Sequence, residues 1–158
     1  MKKFEFTGET KTISLFFRTA TLHRIRAVAE FGLVKIGDLG GWIEKEENLS
    51  NEGKAWVCGD AKVWGNAKVC GDAKVFSASH VLVIGVIGSR DDFTTFFRDK
   101  DNEITVKCGC FLGKIDKFLE KVTQTHGDSK YALVYRAAVE VARLQIDLSG
   151  EAPKDADE

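Results

Sequence analysis

The sequence predicts a mainly β protein with an α/β cap at its C-terminal end: a β-meander, a short solenoid, then a β-hairpin and two helices. Three observations carry this prediction. Residues 55–78 repeat with a fixed period of six, and a short fixed period is the mark of a solenoid. Three strand-like stretches precede the repeat. After it, the apolar spacing lengthens to that of a helix.

The first element is the meander, predicted as a cap over residues 1–41. Phe4–Phe6, Ile13–Phe17 and Leu22–Val28 read as strands, with Arg24 and Arg26 on one face of the third. The stretch Gly37-Asp38-Leu39-Gly40-Gly41 reads as a turn that lets another backbone come close. A phosphate-cradling loop there would call for a helix after it, and no helical pattern follows. Trp42 and Ile43 begin the first solenoid side, and Glu44–Glu47 reads as a solvated edge.

The solenoid is predicted over residues 42–88. Its frame is Ala55, Ala61, Ala67 and Ala73 alternating with Val57, Val63, Val69 and Val75. Positions two apart share a strand face, so these point inward, and Lys62, Lys68 and Lys74 between them point out. Gly59-Asp60, Gly65-Asn66 and Gly71-Asp72 turn the corners. The frame fades into Leu49–Lys54 and Ser79–Ile84, which gives roughly six hexads, and a solenoid so short needs caps. Val81–Ile87 is expected to be the last strand of the coil. The competing reading is an antiparallel sheet of regular hairpins, but the expected Asn-Gly turns are missing.

The C-terminal cap is predicted over residues 89–147. Phe93–Arg98 and Ile104–Cys108 form a hairpin around Asp99–Asn102. Ile115, Phe118, Leu119 and Val122 fall on one helical stripe, which Gly127 ends. Asp128 is placed to cap a second helix, with Tyr131, Val134, Tyr135, Ala138, Val141 and Ala142 as its stripe. The remainder, residues 148–158, is an acidic tail; Ser149–Glu158 holds the single proline and is predicted to be disordered.

The net charge of −1 gives no general attraction to nucleic acid. No apolar stretch follows Met1-Lys2-Lys3 as a signal peptide requires, and no apolar run is long enough to span a membrane. Four cysteines without a framework pattern fit a reducing compartment.

The repeat resembles the hexapeptide repeat of left-handed parallel β-helices. That likeness implies three hexads per triangular coil, hence about two coils here, with residues stacking at every third hexad. Cys58 and Cys70, two hexads apart, then lie on different sides and do not form a disulfide. Cys58 is expected over Phe76 and Trp64 over Leu82, all outward, under a flanking segment or at an oligomer face. A likeness to hexapeptide acyltransferases implies a histidine base at a subunit interface beside a coenzyme A slot, and His80 is the one histidine in the repeats. Its simpler reading is a surface histidine.

The whole chain is similar to a group of small proteins common in phages and prophages. The similarity rests on Leu22-His23-Arg24-Ile25-Arg26-Ala27, on Gly37–Ser50 with the repeats, and on Ile87-Gly88-Ser89-Arg90, Cys108-Gly109-Cys110-Phe111 and Thr125-His126-Gly127. It implies a viral origin and a site of action in the cytoplasm of a bacterial host. Small accessory phage proteins often act against host defences, by sequestering a nucleotide signal or by blocking an effector protein.

Among candidate sites, the loop Gly88-Ser89-Arg90-Asp91 ranks first. Its amides, hydroxyl and guanidinium suit an anionic group, with Thr94, Thr95 and Arg98 just downstream, and it lies where solenoid meets cap. The plainer reading pairs Arg90 with Asp91 or Asp92. His126, at a helix end, either caps that helix or joins the site. The expected ligand-binding set is Ser89, Arg90, Thr94, Arg98 and His126. Cys108 and Cys110 are expected on one strand face as buried structural thiols; zinc binding or a thiol nucleophile with His126 are the other readings. No catalytic residue, metal or cofactor is assigned. The expected function is a non-enzymatic binding protein, with a small anionic molecule such as a nucleotide, or a host defence protein, as partner, and a homo-oligomer as its state. A purely structural module and an acyltransferase are the alternatives.

Overall fold

The computed structural model describes residues 1–149. The chain is mainly β, with two helices at its C-terminal end. Strands β1 (Phe4–Ser14) and β2 (Thr19–Ala27) form an antiparallel hairpin, with Phe4 opposite Ala27 and Ser14 opposite Thr19. The meander is therefore built from two long strands, and Phe16 and Phe17 stand fully exposed in the turn between them. Strand β3 (Leu39–Ile43) pairs antiparallel with β2. Gly40 and Gly41 permit that fit: a Cβ on Gly40 would lie 2.5 Å from the Ile25 side chain, and one on Gly41 2.7 Å from the Ala61 carbonyl oxygen.

The repeat region holds three short strands, β4 (Trp56–Val57), β5 (Lys62–Val63) and β6 (Lys74–Val75). Three parallel pairings run through it: β3 with β5, β4 with β6, and a bridge between Leu49 and Val69. Each joins residues roughly three hexads apart. The eight frame residues Ala55 to Val75 are all buried, and they form one core with Phe4, Ile25, Ile43 and Leu49. Asn48 is buried among them: its Nδ2 donates to the Gly65 and Ala67 carbonyls at 3.1 and 2.9 Å, and its Oδ1 accepts from Lys45 N–H at 2.9 Å.

Several expectations for this region are corrected. Lys74 is buried, because residues flanking the repeat cover its strand, whereas Lys68 is exposed as expected. Trp64 packs against the cluster of Ala20, Leu22 and Trp42, away from Leu82. Glu44 is half-buried and paired with Arg18, so it is more than a solvated edge. His80 is buried, with its Nδ1 accepting from Phe76 N–H at 3.1 Å, so it is not a surface histidine.

Strand β7 (Val81–Ile87) is not a coil strand. It pairs antiparallel with β8 (Asp92–Arg98) in a four-stranded sheet ordered β10-β9-β8-β7, with β9 (Ile104–Cys108) and β10 (Phe111–Lys114). The predicted hairpin of β8 and β9 is present within it. Helices α1 (Ile115–His126) and α2 (Lys130–Gln145) cover one face. Gly127 ends α1 at a φ of 58°. Ser129 occupies the N-cap of α2, and Asp128 instead lies 3.6 Å from Arg136. The buried stripe of α2 is Ala132, Tyr135, Ala138, Val139 and Ala142, so Tyr131 and Val141 face outward.

Strand β8 is the wall between two cores. Phe97 packs into the core of the repeat region and its neighbour Phe96 into the core under the helices, as strand alternation requires. The tail predicted to be disordered lies, from residue 150 on, outside the described residues. Leu148 packs against the helix core, and its carbonyl accepts from Asn102 Nδ2 at 2.8 Å. No helix among the described residues is long and apolar enough to cross a membrane.

Candidate functional site

A pocket of about 180 Å³ opens where two turns meet the helix pair. One wall is the β7–β8 turn with Ser89 and Arg90, and a second is the β9–β10 turn with Cys108, Gly109 and Cys110. The third comes from α1 and α2, through Phe118, Lys121, Thr125, His126 and Tyr135.

Local chemistry fixes each wall. Gly88 has a φ of 82°, and a Cβ there would fall 1.8 Å from the Tyr135 hydroxyl oxygen, so only glycine lets α2 seat against the turn. Gly109 and Cys110 form a two-residue hairpin turn, since Phe111 pairs directly with Cys108. The two cysteines therefore do not share a strand face. Cys108 is half-buried, and its sulfur accepts from Thr94 Oγ1 at 3.4 Å; Cys110 is exposed, which corrects its reading as a buried thiol. All four cysteines are free.

The floor is aromatic. The rings of His126 and Tyr135 stack at 5.8 Å, and Phe118 meets Tyr135 edge-on at 5.6 Å. Burial pushes the Tyr135 phenol up to about 12, helped by Cys108 beside it, so the hydroxyl stays a neutral donor. The rim is basic. Among the described residues, neither Arg90 nor Lys121 has a salt bridge or side-chain hydrogen bond, and the pairing of Arg90 with Asp91 or Asp92 does not form. Arg90 instead lies against Gly109. Asp92 is the one acid in the lining, and its Oδ1 accepts from Phe93 N–H at 2.7 Å.

Three of the five expected residues, Ser89, Arg90 and His126, thus line one pocket. Thr94 is buried beneath it and acts only through Cys108. Arg98 does not belong: it sits at the far end of β8, donates Nε–H to the Lys74 carbonyl at 3.1 Å and stacks over Phe76 at 4.7 Å. Lys121, Thr125 and Tyr135 were missed. Lys121 and Thr125 share a helix face with the Phe118–Val122 stripe's edge, the one signal that marked them.

Among the described residues, no group of three or more His, Cys, Asp or Glu side chains could hold a metal. No protein-family model matches the chain. No curated protein is significantly similar to it.

Proposed function

We propose that the protein binds a small organic anion in this pocket without transforming it. The observation that supports the reading is the pairing of a basic rim with an aromatic floor: among the described residues Arg90 and Lys121 form no salt bridge, and His126 and Tyr135 offer flat rings beneath them. A guanidinium and an ammonium favour phosphate, and stacked rings favour a planar base. At about 180 Å³ the space suits a single phosphorylated ring, smaller than most drug-sized sites. A nucleoside monophosphate or the end of a larger nucleotide is the ligand class.

In this reading the left-handed coil is a rigid scaffold, supported by parallel pairings about three hexads apart. The biological role is that of a phage-type protein sequestering a nucleotide signal in the cytoplasm of a bacterial host. Self-association draws support from Phe16 and Phe17, whose rings stand exposed among the described residues.

The test is isothermal titration with inorganic phosphate and with nucleoside monophosphates. Replacing Arg90 by Ala is expected to weaken nucleotide binding about tenfold or more, the usual loss for a charge-assisted contact. Equal affinity in wild type and R90A would overturn the assignment. Native mass spectrometry of protein purified from bacteria is expected to show a bound small anion.

A further inference from the structure

The four-stranded sheet under the helices has two ends. One is β10, which closes on Lys114, its ammonium held by Asp99 and Asp101 at 2.9 and 2.7 Å. The other is β7, and its chemistry is different. Its residues, Val-Leu-Val-Ile-Gly-Val-Ile, carry no charge, and none of them is fully buried, whereas β8 beside it is buried without a break from Thr94 to Arg98. Among the described residues β7 pairs with β8 alone, so its outer row of N–H and C=O groups meets no strand.

Edge strands that stay single are guarded by charge, proline or a bulge. Strand β1, at an end of the other sheet, is guarded in this way: Glu5, Glu9 and Lys11 lie along it, and its register shifts between Phe6 and Thr10. The register of β7 shifts only beyond Ile84, which leaves Val81–Ile84 a regular apolar edge. Helix α2 extends that edge upward. Arg136 reaches Thr123 and the Gly127 carbonyl and so marks the side of α2 that faces α1. Val134 and Val141 lie on the opposite flank by helical spacing. Since α1 packs on β9 and β10 and α2 on β7, that flank looks toward the open edge.

We propose that β7 is the interface with a second copy of this chain. Two β7 strands pair antiparallel across a two-fold axis, and the two sheets become one continuous sheet. An axis normal to the sheet returns each face to the same face. The helix side, with Leu82 and Ile84, then meets the helix side, and the repeat side, with Val81 and Val83, meets the repeat side. The Val134–Val141 flanks of the two α2 helices come together above the joined edge. An uncharged strand carries nothing that repels an identical strand and nothing that selects a foreign one, which commits the edge to its own copy. A single strand and one helix flank make a small interface, so the dimer belongs in the micromolar range. The contact is separate from the exposed Phe16 and Phe17, and it does not depend on the pocket beside Arg90.

Hydrogen exchange of the full wild-type chain, read by mass spectrometry at low and high protein concentration, tests the pairing itself. Amides in peptides that span β7 are expected to slow by about tenfold as the dimer fills, while those of β1 and β10 keep their rates. Sedimentation velocity over the same range is expected to show a monomer–dimer equilibrium. Val86 and Val141 are 57% and 47% exposed in the single chain, so the double variant Val86→Lys, Val141→Lys is expected to keep the wild-type circular dichroism spectrum. It is expected to weaken dimerisation about tenfold or more, because it places uncompensated lysines in the joined edge. The exchange experiment uses the wild-type chain and decides the question whether or not that variant folds. A chain that stays monomeric at every concentration would overturn the proposal. So would a dimer whose β7 amides exchange as fast as the monomer's. A dimer that survives the lysine variant unchanged and is lost on Phe16→Ser with Phe17→Ser would count equally against it.

Discussion

Glu44 shows how one side chain can tie the N-terminal hairpin to the repeat region. Its carboxylate receives Arg18 from the β1–β2 turn at 2.6 Å and the Gly65 N–H from a coil corner at 2.8 Å. The Arg18 hydrogen bond, with the Gly65 amide behind it, holds the Glu44 carboxyl below its ordinary value of 4.5. A carboxyl with a depressed folded-state pKa gives stability that is fully present above its unfolded value and lost as pH falls through the folded one. Stability measured by urea titration should therefore drop as pH falls below about 4.5, and Glu44→Gln should flatten that part of the profile. An equally steep acid limb in E44Q would place the sensitivity elsewhere. At this scale the sequence was a partial guide. It brought Ser89 and Arg90 to a turn because glycine and small polar residues mark turns. It had no means of showing that Arg98, at the far end of the strand that follows this turn, would lie away from the pocket, because that depends on which end of β8 meets β6.

Elements were more legible where a period governs them. The alternation of alanine and valine dictates which side chains are buried, and all eight are. Period says less about where a repeat stops: Val81–Ile87 is as apolar as a coil strand, yet it pairs with β8, because a sheet edge beside a hairpin offers it longer pairing. The helical stripe of α2 was displaced for a similar reason, since Gly88 and Phe118 draw Tyr135 inward and turn Tyr131 outward. Asn48 is a buried polar residue that ties the repeat region together. Its amide closes the gap between the chain near β3 and the Gly65–Ala67 corner, satisfying two carbonyls and one N–H, of which the bond to the Ala67 carbonyl is fully buried. Asn48→Ala leaves those groups unpaired and is expected to cost about 2–3 kcal/mol in chemical denaturation. A loss below about 0.5 kcal/mol, typical of a surface site, would mean the corner is held by its frame residues alone.

At the scale of the molecule, the question is whether two cores make two folding units. The core of the repeat region and the helix core share no interior, but they share β8, whose Phe97 serves one and Phe96 the other. The attachment is reinforced outside the cores: Lys68 N–H donates to Thr95 Oγ1 at 3.0 Å, Arg98 holds the Lys74 carbonyl, and Ala73 bridges Asp99. Lifting the sheet from the repeat region would expose Phe97 and the alanine–valine core it packs on, and removing the helices would strip Phe96 and unsupport the strand that carries Phe97. Neither half can leave at small cost, so unfolding should be one cooperative transition. The sequence supplies separate reporters for the two halves. All three tryptophans, Trp42, Trp56 and Trp64, lie in the half that holds the repeats, and both α-helices lie in the other. Tryptophan fluorescence and helical circular dichroism are expected to give urea midpoints that coincide within about 0.2 M. A helical signal that melts first, with tryptophan emission unchanged, would show that β8 belongs to the repeat half alone and that the helix pair is a detachable cover.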